Sequence, residues 1–224
     1  MMRPGRTIAA SLEHLVFYPE RTMAKYPTIV ALHGRGADAS DLLPLVESIG
    51  LTNLLVIAPR APLRLNLGLV QGYAWYDLFK EGIPHPETFR TSLELLRRFL
   101  VEIRRGYPVN PQQLVLAGFS QGTVMAYAAG LTETPPVRAL VGLSGYIHKS
   151  ALPVELDNLH SLSIFISHGT FDKIIPVELG RETAELLRRA GANVAYREYP
   201  MGHEVREETV RDLADWMRQF LSGS

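Results

Sequence analysis

Gly118-Phe119-Ser120-Gln121-Gly122 sets a serine between two glycines, the G-x-S-x-G spacing of a serine nucleophile. The five residues directly follow an apolar run, Leu114–Ala117, and directly precede a small-residue stretch, Thr123–Leu131, that reads as a helix. The motif requires this strand–turn–helix setting, because its turn is so sharp that the neighbours at −2 and +2 must lack side chains. A helix beginning at Gln121 would aim free backbone N–H groups at the point where negative charge develops during acyl transfer. The plain alternative is a tight strand–helix turn with an incidental serine. Ser144, in Gly142-Leu143-Ser144-Gly145, also follows a strand pattern but lacks the second glycine spacing, and reads as a loop serine near the site.

A serine hydroxyl is a poor nucleophile near neutral pH, so it needs a base, and the base needs an orienter. The chain has seven histidines, at 14, 33, 85, 148, 160, 168 and 203. Where a G-x-S-x-G turn serves this chemistry on an α/β sheet, an acid and then a histidine follow the serine in the chain. That leaves His148, His160, His168 and His203. His203 lies in Pro200-Met201-Gly202-His203-Glu204, after the last strand pattern and before the last helix pattern. Asp172 lies four residues beyond His168, on a loop that ends where Pro176 opens a helix. Both loops start at the C-terminal ends of strands, where α/β sheets place their sites. His203 with Asp172 is therefore the best pair. Asp157 is a rival orienter, but its surroundings, LPVELDNLHSLS, precede the strand.

A second glycine-containing loop, Leu32-His33-Gly34-Arg35-Gly36-Ala37-Asp38, follows another apolar run. Its glycines allow a tight turn that carries a backbone N–H toward the serine. A nucleotide-binding loop is the competing reading, but neither G-x-x-x-x-G-K-[ST] nor G-x-G-x-x-G occurs here. His33 precedes the serine and reads as a structural loop residue.

These loops need a frame to hold them. Short apolar runs at Thr28–Leu32, Leu54–Ala58, Leu114–Phe119, Ala139–Leu143 and Leu162–Ser167 read as strands buried on both faces. Asn193–Tyr199 mixes charge into its alternation and reads as a strand nearer an edge; Leu12–Tyr18 is a further candidate at the start of the sheet. Helical stripes fall on Ser92–Arg105, Val177–Ala190 and Val205–Phe220, and a short helix runs from Ser40 or Asp41 to Ile49. Strand and helix alternate, which predicts an α/β fold with a mostly parallel sheet and helices on both faces. The stretch Pro59 to Pro86 breaks the rhythm. It is rich in proline and large apolar residues, and Leu63, Leu65, Leu67 and Leu69 recur at every second position, as in a short extra strand. A connection this long is often functional. Trp75 and Leu65 or Leu67 are candidates for lining an acyl pocket, with equal weight on their simply covering the sheet as core.

Composition narrows the chemistry. The 224 residues fit a single domain, 1–224, and burying about seven-tenths of the unfolded surface suffices for a sizeable core. With 23 basic and 23 acidic side chains the net charge is zero, so nothing marks a nucleic-acid or acidic membrane partner. The absence of cysteine removes disulfides, thiol nucleophiles and cysteine-ligated metal centres, and leaves Ser120 as the supported nucleophile. No run approaches 18 apolar residues and the N-terminus lacks a sustained apolar region, so neither a transmembrane helix nor a signal peptide is expected. The expected location is the cytoplasm.

The segments LHGRGAD, GYAWYDL, LAGFSQG, LSGY, HGTFDKIIP and MGH occur in an order that resembles the bacterial carboxylesterase/lysophospholipase and acyl-protein thioesterase branch of the α/β-hydrolases. The resemblance spans about residues 28 to 220. It implies an α/β-hydrolase fold without a large cap domain, a Ser120–Asp172–His203 triad, and an oxyanion hole made by the backbone N–H groups of Arg35 and Gln121. It implies a small acyl ester or thioester as substrate, and no metal or cofactor. The resemblance allows a homodimer but marks no surface for one. Arg35 occupies a position that is often apolar in the family; its backbone role survives, while its guanidinium could alter acyl or leaving-group preference. A non-catalytic binding protein on the same fold and a serine peptidase are the alternatives.

Overall fold

Seven of the apolar runs assemble into one sheet because each presents side chains to both of its faces. The structure, a computed structural model, describes residues 2–68, 70–79, 82–132, 137–148, 156 and 158–223. In chain order its elements are β1 (Arg3–Pro4), β2 (His14–Tyr18), β3 (Tyr26–Leu32), α1 (Leu43–Ser48), β4 (Leu55–Pro59), β5 (Leu63–Leu67), β6 (Val70–Ala74), β7 (Leu78–Phe79), β8 (Ile83–Pro84), α2 (Pro86–Gly106), β9 (Val109–Phe119), α3 (Gln121–Gly130), β10 (Ala139–Leu143), β11 (Ser163–Gly169), α4 (Val177–Arg189), β12 (Asn193–Tyr199) and α5 (Glu207–Ser222). Eight strands pair in the order β1-β2-β4-β3-β9-β10-β11-β12. Pairing is antiparallel from β1 through β4 and parallel from β4 to β12.

Side chains alternate between two cores, as the period of two in a strand demands. Val30, Leu32, Leu55, Ile57, Leu114, Leu116, Leu140, Ile164 and Ile166 face α2, α3 and α4. Ile29, Ala31, Val56, Val115, Ala117, Val141 and Phe165 face α1 and α5. α3 is buried at every position, which its small side chains permit by letting it press close to the sheet. The amphipathic α2, α4 and α5 each bury one stripe, including Leu96 and Leu100, Ala184 and Leu187, and Leu213 and Met217.

The expected strands all form; β10 and β12 keep their expected bounds and the others shift at one or both ends. β9 starts at Val109 rather than Leu114, β2 is shorter than Leu12–Tyr18, and β12 is the sheet's edge. α2 starts at Pro86 instead of Ser92, since a proline is tolerated in a first helical turn. The 59–86 connection is not a structureless loop. β5 pairs with β6, and β7 with β8, in two small antiparallel hairpins. The alternating leucines thus do form a strand through Leu67; Leu69 lies outside the described residues. Among the described residues, no helix is long and apolar enough to cross a membrane.

Candidate active site

Ser120 stands between β9 and α3 at φ 55° and ψ −118°, a conformation that strains a residue with a side chain. Close packing around it explains both glycines. A Cβ on Gly118 would lie 2.3 Å from the Gly122 backbone, and one on Gly122 would lie 2.0 Å from Leu32 O. Backbone cannot yield to such contacts, so β3, β9 and α3 meet closely only with glycine at both positions. Thr123 Oγ1 donates to Gly118 O at 2.7 Å, and Ser120 N donates to Leu143 O at 2.9 Å, which fastens the turn to β10.

The two partner loops come from adjacent strands. β11 and β12 pair in parallel with Gly169 opposite Tyr199, so the chain leaves both at the same level. Thr170 N donates to Tyr199 O at 2.9 Å and Phe171 N to Met201 O at 3.0 Å, joining the loops just beyond the sheet. Across this junction His203 Nδ1 lies 2.7 Å from Asp172 Oδ2, while His203 Nε2 lies 2.9 Å from Ser120 Oγ. The Asp172 side chain is fully buried. Its Oδ1 accepts N–H bonds from Ile174 at 2.8 Å and Ile175 at 2.9 Å, leaving Oδ2 for the imidazole. A carboxylate can only accept here, so Nδ1 carries the proton and Nε2 is the acceptor facing the hydroxyl. The rival Asp157 lies outside the described residues.

Gln121 is the first residue of α3, so its N–H has no intrahelical acceptor. The Arg35 N–H likewise meets no acceptor among the described residues, and both residues line the cleft beside Ser120. His33 anchors the Arg35 loop from below. It is fully buried, its Nδ1 donates to Gly34 O at 2.7 Å, and its Nε2 accepts from Ala61 N at 3.0 Å. Burial pushes its imidazole below the ordinary value, which suits a neutral ring with one donor and one acceptor. Arg60 grips Asp38 through two bonds of 2.7 and 3.0 Å, and Asp38 is held below the usual carboxylate range by that contact.

The cleft has a volume of about 460 Å³, and Tyr76, Tyr146, Leu78, Ile174, Ile175 and Leu179 form much of its apolar wall. Of the expected pocket residues, neither Trp75 nor Leu65 is among its lining. Trp75 is fully buried, and its indole N–H donates to His33 O at 2.9 Å. Its backbone N donates to Gln121 Oε1 at 3.1 Å, while Gln121 Nε2 donates to Tyr76 O at 3.0 Å. Trp75 thus braces the loop and helix that face Ser120, as one of the core residues that the alternative reading allowed. Leu65 pairs with Gly72 inside the β5–β6 hairpin; the side chain of Leu67 lies outside those described. Ser144 is buried at the end of β10 with φ 48°, and its hydroxyl meets no partner among the described residues.

Sequence reasoning missed Tyr146 and the Ile174–Leu179 wall. Their only signal is position, just after LSG and just after Asp172, on the loops that the strand ends had already marked.

The profile of the phospholipase/carboxylesterase family matches residues 17–221. Among curated proteins, acyl-protein thioesterase 1 of Gibberella zeae is 28% identical over 213 residues, covering 87% of this chain and 90% of its own. Its counterpart from Candida albicans is 27% identical, covering 86% and 91%. Among solved structures, the Bacillus cereus carboxylesterase superposes with a TM-score of 0.80 at 25% identity, over 93% of this chain and 94% of that one. A carboxylesterase from Mesorhizobium loti shares the fold with a TM-score of 0.82 at 20% identity, over 99% and 100%.

Proposed function

Because the chain belongs to the phospholipase/carboxylesterase family, we propose that it is a serine hydrolase of carboxylic esters or thioesters, acting as a single 1–224 domain through Ser120, His203 and Asp172. The observation that carries this reading is the unbroken line of hydrogen bonds, 2.9 Å from Ser120 Oγ to His203 Nε2 and 2.7 Å from His203 Nδ1 to Asp172 Oδ2. In the acylation step Ser120 Oγ attacks the acyl carbonyl and His203 Nε2 takes its proton. Asp172 holds the tautomer and stabilises the imidazolium. The Arg35 and Gln121 N–H groups receive the oxyanion, and one such donor is worth about 2.7–4 kcal/mol to the transition state. The C–O or C–S bond breaks, and the leaving alcohol or thiol takes the proton from His203. Water then attacks the acyl-enzyme by the same route and frees the acid and Ser120.

The test is turnover of p-nitrophenyl esters, acyl thioesters and peptide amides, with fluorophosphonate labelling alongside. Esters or thioesters should turn over and Ser120 should label. Ser120→Ala should lower turnover by roughly three orders of magnitude or more while the melting curve stays nearly unchanged. Absence of both turnover and labelling would reject the hydrolase reading in favour of a binding protein; preference for amides would indicate a peptidase.

A further inference from the structure

The proposed chemistry does not use His168, yet this histidine is fully buried as the penultimate residue of β11 and lies four residues before Asp172. Its Nε2 is 2.8 Å from Ile175 O and 3.5 Å from Asp172 Oδ2. A carbonyl only accepts, so the His168 proton resides on Nε2. Nδ1 has no partner among the described residues. It lies against α4 where Gly180 makes room: a Cβ on Gly180 would come within 2.6 Å of Nδ1. The ring is therefore pressed between α4 and the 172–175 turn, with its one donor directed to the turn. That turn is the element whose backbone N–H groups fix Asp172 Oδ1.

We propose that His168 is a positioning residue for Asp172: its Nε2–H pins the Ile175 carbonyl and faces the carboxylate, which keeps Oδ2 on line with His203 Nδ1. The inference rests on the hydrolase reading for its kinetic consequence, but its structural content concerns the Asp172–His203 bond alone. Without the His168 donor, Ile175 O loses its buried partner, the turn loosens, and the carboxylate can rotate away from the imidazole. Misplacement on the scale of 1 Å at a reacting group costs about 100-fold in rate.

Three variants test this, each with ester turnover and the downfield proton resonance of His203 Nδ1–H in the free enzyme. His168→Leu keeps the site filled but removes the donor; kcat should fall about 10- to 100-fold with KM within about twofold, and the resonance should weaken or move upfield. His168→Gln, whose amide N–H reaches toward the Nε2 position, should recover most of both signals. Gly180→Ala leaves the donor in place but pushes on the ring, and should lower kcat in the same direction by less; it also serves as the test if His168→Leu fails to fold. An unmoved resonance and kcat within about twofold of the parent in the folded variants would overturn the proposal. A folded His168→Gln no better than His168→Leu would overturn it too, by assigning the loss to packing. Because the resonance is read without substrate, an enzyme that turns over no ester would reject the hydrolase reading while still reporting on His168.

Discussion

Ser120 occupies a backbone conformation that costs on the order of 1–3 kcal/mol, and the residues around it leave no relaxed alternative. Gly118 and Gly122 close the turn from both sides, and Leu143 O and the first turn of α3 take up its amide groups. The histidines illustrate how surroundings divide one residue type into separate roles. His203 is partly exposed and joins two side chains across loops, whereas His33 is sealed in the core as a neutral connector. Because burial lowers the His33 value from 6.5, the unfolded chain takes up a proton first as pH falls. The stability that His33 contributes is therefore complete above about 6.5 and is lost as pH drops below that value. His148, also lowered by burial, acts with the same sign. Urea unfolding measured across this range should show stability falling on acidification, with a smaller slope in His33→Asn; an identical slope would exclude His33 as a source. His33 and Ser120 were assigned from motif and chain order, while the neutral state of His33 depends on burial, which no motif encodes.

At the scale of elements, sequence periodicity marked the β5 strand of the β5–β6 hairpin but not what the hairpin does. Its alternating leucines signalled a strand, but its role lies in the backbone. Gly36 N donates to Tyr73 O at 2.7 Å and Tyr73 N to Ala37 O at 2.9 Å, so β6 clamps the loop carrying Arg35. Trp75 follows directly and ties His33 to Gln121. A large aromatic in a long connection resembles a pocket wall in sequence, because exposure and burial leave the same residue type there. Trp75→Phe would keep most of the packing but leave His33 O unpaired in the core, at a cost of about 1–3 kcal/mol. We expect a lower melting temperature, a few-fold lower kcat, and an unchanged preference for acyl-chain length. A changed chain-length preference in this variant would return Trp75 to the pocket.

The whole molecule carries no net charge, so no net field steers a charged substrate, and for the proposed hydrolase the apolar wall of the cleft is the expected source of substrate binding. Tyr146 and Leu179 line both the cleft at Ser120 and a separate groove of about 610 Å³ along α4, whose wall includes Ile147, Thr183 and Leu186 together with Glu182, Glu185 and Arg189; a long acyl chain leaving the cleft between Tyr146 and Leu179 would enter that groove. Each methylene buried there is worth about 0.8 kcal/mol, or about fourfold in kcat/KM. A p-nitrophenyl ester series from acetyl to dodecanoyl should therefore rise in kcat/KM until the groove is filled. Leu186→Arg should remove the gain for the longer esters and leave acetyl ester turnover unchanged. A flat series, or a variant that preserves the gain, would show that the acyl chain leaves the protein before reaching α4.

The sequence alone determined the α/β alternation, the strand ends that carry the three loops, and the identities of Ser120, Asp172 and His203 as the residues to watch. Each of these is written locally: apolar period for strands and helices, glycine spacing for the sharp turn, and chain order for the partners. Tertiary structure decided the rest, because it depends on segments distant in the chain. Ser120 and His203 are separated by 83 residues and meet only because the parallel strands leave the sheet at one edge. The same assembly buries Trp75 away from the cleft, brings Tyr146 into its wall and presses His168 against the turn of Asp172. Neighbouring residues record where a strand ends, but only the packed sheet determines what its end will touch.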